Sequence, residues 1–188
     1  MKKLLFILLA AVVFLGLFLA GTYNSLVKQS QAIEAQWAQV ETQYQRRFDL
    51  IPNLVEAVKG LFKQEQTVFG QIAEARTRYA QAQTVEEKAQ AASQVESALA
   101  RLLVIIENYP EIKSDQAVAG LMDELAGTEN SISVERRRFN ELVRRYNTQI
   151  SQFPTNLVAR LFGFSPKAYF EASEPAHEAP KVDLQLGD

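Results

Sequence analysis

The chain has 188 residues, a net charge of −2 and no cysteine. This length allows one domain with an added anchor or tail. The near-neutral charge excludes the broad basic surface of a typical nucleic-acid binder. The absence of cysteine excludes disulfides, thiolate metal sites and cysteine nucleophiles.

The first predicted element is a membrane span. Residues Leu4 to Ala20 carry no charge, and the following residues through Tyr23 extend the apolar stretch. About 20 residues of helix rise roughly 30 Å, which matches the hydrocarbon core of a bilayer. A cleaved signal peptide begins similarly but ends in small residues. Here the available cut sites put Phe18 or Leu19 where a small residue is needed, so we predict an uncleaved anchor over residues 1–23.

The charges that flank the apolar stretch predict its orientation. Lys2 and Lys3 precede it, and Lys28 is the one basic residue in the next 20. Basic residues are retained on the cytoplasmic side of a membrane. We therefore expect the N-terminus in the cytoplasm and the remaining chain on the extracytoplasmic side.

Beyond the anchor, apolar residues recur at spacings of three and four, which predicts helices. Pro52 is our preferred position for the first turn, because proline is favoured in a first helical turn and disfavours helix at the preceding residue. Gly60 is the alternative. The four predicted helices lie at about 24–50, 52–82, 85–109 and 114–153.

Local capping signals support the later boundaries. Thr84 and Glu87 form a capping-box pattern at the start of the third helix. Ser114 or Asp115 can cap the fourth helix, and Pro154 ends it. Four apolar stripes joined by short loops predict an all-α fold: an N-terminal transmembrane helix followed by an antiparallel up-and-down four-helix bundle over residues 24–154, with coiled-coil-like packing.

Two segments follow the predicted bundle. Residues 155–171 form a short apolar or helical extension that either folds back on the bundle end or lies on the membrane surface. Residues 172–188 are acidic, contain two prolines and have little hydrophobic character. We predict that this tail is disordered.

No pattern of residues predicts a catalytic or metal site. A di-iron helix bundle needs inward Glu-x-x-His pairs, but the single histidine is His177 in the acidic tail. The glycines are scattered and form no phosphate loop. We therefore predict a protein that is not an enzyme, holds no metal or other cofactor and has no small-molecule substrate.

A basic run at residues 136–138, with Arg144 and Arg145, suggests a lipid or nucleic-acid patch. Helical geometry spreads three consecutive residues over about 200°. Glu135 and Glu141 can pair with these arginines along the same helix. We interpret the run as a solvated, salt-bridged face and predict no nucleic-acid partner.

Eight polar residues lie near the apolar stripes or at predicted helix ends. One hypothesis is a recognition site for a partner near the predicted turn at 47–53. The preferred interpretation is a set of partly buried ion pairs and caps that fix the helix register. The candidates are Arg47, Asp49, Asn53, Glu65, Arg76, Glu107, Glu129 and Asn130.

An ordered set of motifs resembles the LemA family over about residues 22–171. The resemblance implies an anchored four-helix bundle in the bacterial cell envelope, with no established reaction and with links to membrane-stress proteases and membrane organisation. The sequence departs from the family pattern at two places. At Gln64-Glu65 the family often has histidine before the glutamate, and at Phe139-Asn140 Tyr-Asn is expected. The motifs are Tyr23–Val27, Trp37, Arg46–Gly60, Glu74–Arg76, Glu107–Lys113, Glu124–Asn130, Tyr146-Asn147, Phe153-Pro154 and Tyr169–Glu171.

Three functional hypotheses follow. The leading one is a scaffold or adaptor, anchored in the bacterial inner membrane through Leu4–Tyr23, that binds a protein partner or assembles laterally with its own copies. The second is membrane remodelling, with Leu157–Phe170 in the bilayer interface. The third is a signalling module in which a ligand shifts the bundle and the output passes through a partner.

Overall fold

A computed structural model describes residues 2–59 and 66–171, and this part of the chain is almost entirely helical, without a β-strand. The predicted all-α class and the long apolar N-terminal helix are confirmed. The predicted disordered tail at 172–188 lies outside the described residues. The helices are α1 (Lys2–Lys59), α2 (Gln66–Gln81), α3 (Val85–Glu107), α4 (Pro110–Lys113), α5 (Gln116–Ser151) and α6 (Thr155–Phe162).

The chain divides into two compact units. Of the described residues, unit 1 comprises 2–53 and 120–169, and therefore holds most of α1, most of α5 and all of α6. Unit 2 comprises the described residues within 54–119 together with 170 and 171, and holds the end of α1 and the helices α2 to α4.

The predicted first turn at Pro52 is wrong, because α1 passes through this proline and ends at Lys59. Proline inside a helix costs about 3 kcal/mol. Phe48, Ile51 and Leu54 are all buried on a single helical stripe around the proline. Burial of each such side chain contributes about 1.5–3 kcal/mol, which together exceeds the cost of the proline. The alternative position, Gly60, lies outside the described residues.

Within residues 2–59 and 66–171, nothing packs over the apolar beginning of α1. Large apolar side chains between Leu4 and Leu17 are more than half exposed. Among the described residues, α1 is the one helix long and apolar enough to cross a membrane.

In unit 1, α1 and α5 pack as antiparallel neighbours. Gln29 contacts Gln149, Gln36 contacts Glu135, and Arg47 contacts Glu129, so positions rise along α1 as they fall along α5. The core between the two helices is apolar and aromatic. Its buried members include Leu26, Ile33, Val40, Tyr44, Leu125, Ile132, Phe139, Val143, Tyr146 and Ile150.

In unit 2, α2 and α3 also run antiparallel, since Gln71 bonds Arg101 and Arg78 bonds Gln94. The predicted capping box is confirmed: Thr84 Oγ1 accepts the Glu87 amide at 3.1 Å, and the Glu87 carboxylate accepts the Thr84 amide at 3.1 Å. α3 ends at Glu107, one turn of helix follows as α4, and the fourth long helix begins after it.

The ends of α5 follow the local signals in the sequence. The Asp115 carboxylate accepts the amides of Ala117 and Val118 at 2.9 and 3.1 Å, so Asp115 supplies the side-chain cap. The helix ends at Ser151, ahead of Pro154. The apolar extension that follows contains the two-turn helix α6, which is part of unit 1.

Candidate functional site

Arg47 occupies a core position in the seam between α1 and α5. Leu26, Ile33, Val40 and Arg47 are buried at every seventh residue of α1, which is the spacing of a coiled-coil seam. Arg47 is only 2 % exposed, although its heptad equivalents are aliphatic. A buried polar residue in such a seam penalises other registers, because a shifted partner would leave the charge uncompensated.

Two consecutive α5 residues hold the Arg47 side chain. Its Nε donates to Thr128 Oγ1 at 3.2 Å, and its Nη2 forms an ion pair with the Glu129 carboxylate. Thr128 is itself buried and donates its hydroxyl to the Leu125 carbonyl at 2.7 Å. The Glu129 side chain is 49 % exposed. The ion pair therefore joins a buried guanidinium to a carboxylate that reaches solvent.

The other predicted site residues have different surroundings. Asp49 is exposed and accepts from Gln45 at 2.8 Å. Asn53, Glu107 and Asn130 are exposed, Arg76 is half-buried in unit 2, and Glu65 lies outside the described residues. Residues 47–53 form continuous helix instead of the predicted turn, and the hypothesis of a recognition site near them stays a prediction.

Glutamine side chains flank the same seam. Gln29 Nε2 donates to Gln149 Oε1, and Gln36 Nε2 donates to Glu135 Oε2, each at 2.6 Å. The sequence does not predict these contacts, because nothing in a helical polar face indicates which residues meet another helix. They add direction-dependent contacts beside the apolar core.

Three arginines of the basic run on α5 form surface ion pairs with Glu135 and Glu141, as predicted. Arg138 pairs with Glu135 at 2.7 Å, and Arg144 and Arg145 both pair with Glu141 at 2.8 Å. Hydrogen bonds from Arg144 and then Arg145 hold the pKa of Glu141 below its ordinary value of 4.5.

The other two arginines of the run make different contacts. Arg137 Nε donates to the Ser133 carbonyl at 3.3 Å, and Arg136 contacts α1. Its guanidinium carbon lies 5.8 Å from the centre of the Tyr44 ring, so this arginine packs on an aromatic residue of α1. The run therefore contains one cation–π contact at the seam beside its exposed ion pairs.

An aromatic cluster lies where the apolar part of α1 ends. The ring centre of Tyr23 is 5.0 Å from that of Phe162 and 5.6 Å from that of Phe164, both in edge-on geometry. Gly163 between them adopts φ 76°, a left-handed conformation that favours glycine and ends α6. α6 and the residues after it therefore lie beside the end of the apolar stretch.

Hydrogen bonds and an ion pair hold the segment after α6 against α5 and α1. Asn147 Nδ2 donates to the Lys167 carbonyl at 2.9 Å, and the Lys167 amide donates to Asn147 Oδ1 at 2.8 Å. Lys167 Nζ also lies 3.7 Å from a Glu34 carboxylate oxygen. The sequence places Asn147 in a family motif but does not predict its partner, which lies 20 positions away.

α6 itself carries two apolar sides. Val158 and Ala159 are 1 % and 2 % exposed, while Leu157 and Leu161 are 58 % and 69 % exposed. Phe153, in the turn before α6, is 80 % exposed. In the part of the chain that the structure describes, no group of three His, Asp or Glu side chains is arranged to hold a metal ion.

The fold and these contacts define a class of protein. A helix able to cross a membrane continues into packed antiparallel helices, as in a membrane-associated helical protein. The LemA family profile matches residues 36–184, and the chain belongs to the LemA family. This confirms the resemblance seen in the sequence motifs.

Relatives of this chain include two named magnetosome proteins and a named LemA protein. Magnetosome protein MamQ 2 of Paramagnetospirillum magneticum is 26 % identical, covering 87 % of this chain and 70 % of the relative. MamQ of Magnetospirillum gryphiswaldense is 25 % identical with the same coverage. Protein LemA of Metamycoplasma hominis is 24 % identical, covering 90 % of this chain and 79 % of the relative.

Proposed function

We propose that this protein is a non-enzymatic scaffold or adaptor anchored in the bacterial inner membrane. The continuity of α1 carries the proposal: one helix, Lys2–Lys59, contains both the apolar stretch and the residues that pack on α5. A continuous helix has no flexible linker at the membrane surface, so it holds the packed helices close to the bilayer. Such a protein acts by presenting a surface to a partner or to another copy of itself.

The polar surface of unit 1 supports a binding role. Beyond the apolar stretch, the exposed faces of α1 and α5 carry charged and amide side chains, while the large apolar side chains of these parts are buried or half-buried in the seam. The Arg47–Glu129 pair and the Gln29–Gln149 contact specify one register between the helices. A surface with a fixed register presents a constant pattern of groups to a partner.

In-membrane crosslinking tests the scaffold proposal. A photoreactive amino acid is placed at exposed positions of α1 and α5, such as Gln39 and Arg137, in the full chain expressed in bacterial membranes. The control position is Leu9 in the apolar stretch. We expect discrete adducts from the exposed positions that contain either a second copy or one recurrent protein. The proposal would be overturned if every position gave lipid adducts and no position gave a protein adduct.

The proposed orientation has its own test. A reporter that is active only outside the cytoplasm is fused after Asp188, and a matched fusion places it before Met1. We expect activity from the C-terminal fusion alone, because Lys2 and Lys3 lie on the cytoplasmic side. The reverse pattern would overturn the proposed orientation but not the scaffold role.

Membrane organisation is a second candidate function. The exposed apolar side chains of α6 and the similarity to proteins named as magnetosome proteins favour it. The full chain is reconstituted in vesicles and their shape is recorded by electron microscopy. Tubules or uniform small vesicles, absent from protein-free samples, are expected for this role, and unchanged vesicles over a range of protein densities would contradict it.

A further inference from the structure

We propose that α6 and the turn before it form a second membrane contact. The exposed side chains of Phe153, Leu157 and Leu161 enter the headgroup and upper acyl region of the leaflet from which α1 emerges. This inference rests on the proposed anchoring of α1, and it assigns a lipid ligand to a surface of the folded domain.

Contacts at the C-terminal end of α6, and contacts of α5 shortly before α6, both reach α1 just after the apolar stretch. At its C-terminal end, Phe162 and Phe164 contact Tyr23. Before its N-terminal end, Gln149 bonds Gln29 at 2.6 Å and lies 3.5 Å from the Ser25 hydroxyl. Residues 23 to 29 of α1 span only about 9 Å along the helix axis. The C-terminal end of α6 and the end of α5 are therefore held beside the first turns that follow the predicted span.

The two apolar sides of α6 have different environments. Leu157 and Leu161 are separated by about 40° around the helix axis, so they form one patch. Val158 and Ala159 are turned away from this patch and are buried. The buried side packs α6 against the rest of unit 1. The side with Leu157 and Leu161 remains available to lipid. Arg160 is exposed beside the patch, where its guanidinium can reach the headgroups.

The position of α6 is fixed by contacts on its C-terminal side. Asn147 makes two hydrogen bonds to the Lys167 backbone, and Lys167 Nζ lies near Glu34. The left-handed Gly163 turns the chain from α6 into this fastened segment. An apolar patch that is held in place at the level of the bilayer surface has lipid as its nearest apolar medium.

Site-specific fluorescence tests this proposal in the full chain. Because the protein has no cysteine, single cysteines can be introduced without removing others. Leu157→Cys and Leu161→Cys carry an environment-sensitive dye in liposomes with spin-labelled lipids. Ser133→Cys, exposed on α5 and away from α6 in sequence, is the control for an aqueous position.

We expect blue-shifted emission at positions 157 and 161, with lipid quenching several-fold stronger than at position 133. Water-like emission and equal, weak quenching at all three positions would overturn the proposal. Blue-shifted emission without lipid quenching would also overturn it, because protein rather than lipid would then cover the patch.

A further label separates the failure of this proposal from failure of the anchor. Leu9→Cys reports the apolar stretch of α1 directly. If position 9 is quenched by lipid and position 161 is not, the contact of α6 with lipid is wrong while the anchored scaffold stands. If neither position is quenched, the anchor itself is wrong. A circular dichroism spectrum unchanged from the parent protein confirms that each labelled variant is folded.

Discussion

At the scale of single residues, Arg47 is the least expected member of the core. Its heptad position predicts an aliphatic side chain, yet the arginine is buried and reaches Thr128 and Glu129. A buried ion pair contributes little net stability, but removal of one partner leaves a costly charge. The two partners of this pair should therefore respond differently to substitution.

We expect Glu129→Ala to lower the free energy of unfolding by about 1–3 kcal/mol, because it removes the Glu129 carboxylate from the buried Arg47 guanidinium. Arg47→Met, which removes the charge and keeps the length, should cost less than Glu129→Ala. Thermal unfolding followed by circular dichroism in mild detergent measures both. If the two variants lost equal free energy of unfolding, the loss in Glu129→Ala could not come from the buried Arg47 charge.

The Thr84 cap provides a second prediction for a single residue. Thr84→Ala should lower the stability by about 1 kcal/mol, because it removes the acceptor for the Glu87 amide. Thr77→Ala is the matched control, since the Thr77 hydroxyl bonds the Ala73 carbonyl within α2. The control should be neutral or slightly stabilising, because alanine has the higher helix propensity. A loss in Thr77→Ala as large as that in Thr84→Ala would contradict the role of the cap.

The same capping box predicts a pH dependence. Backbone hydrogen bonds from Gln83 and then Thr84 lower the pKa of Glu87 below its ordinary value of 4.5. The carboxylate therefore contributes stability that is complete above pH 4.5 and is lost as the pH falls through the lowered pKa. The melting temperatures of the parent and Glu87→Ala should differ at about pH 7 and converge in stronger acid. A gap that widens in acid would contradict this sign.

At the scale of elements, α1 shows how packing overrides a local breaker. Pro52 is exposed and removes one helical hydrogen bond, while the buried stripe continues on both sides of it. Pro52→Ala should therefore stabilise the protein by about 1–3 kcal/mol. Asn53→Ala, at the adjacent exposed position, should change the stability by no more than about 0.7 kcal/mol. Destabilisation by Pro52→Ala would contradict a continuous helix at this point.

The segment after α6 depends on one side chain of α5. Asn147→Ala removes two hydrogen bonds to Lys167, each contributing about 1 kcal/mol. Local opening should become roughly 30-fold more frequent, and limited trypsin digestion after Lys167 should accelerate accordingly. Ser151→Ala is the control, because its hydroxyl bonds only the Asn147 carbonyl within α5. Equal digestion rates in the two variants would contradict the fastening role of Asn147.

At the scale of the whole molecule, the continuity of α1 fixes distances from the membrane. Gln39 lies about 24 Å along the helix axis from Tyr23. Energy transfer from a dye at Gln39→Cys to acceptor lipids in nanodiscs should correspond to about 20–24 Å from the bilayer surface, allowing for tilt. A dye at Asn24→Cys should lie near the surface. Equal transfer from the two positions would contradict a continuous helix leaving the membrane.

Much of the fold follows from the sequence alone because its signals are local. The uncharged stretch from Leu4, the three- and four-residue periodicity and the Thr84–Glu87 cap involve residues close together in the chain. Such patterns determine helix type and several helix ends. The ordered motifs also indicate the LemA family without reference to the structure, and the match over residues 36–184 confirms it.

Other features were decided only by the tertiary structure, because they depend on partners distant in the chain. The periodicity passes unbroken through Pro52, and only packing of Phe48 and Ile51 shows that the helix does too. Arg47 meets Glu129 across 82 positions, and nothing in one sequence assigns that partner. Tyr23 likewise meets Phe162 only when α6 folds beside α1. Helical periodicity states which residues share a face, whereas tertiary packing selects the neighbour of that face.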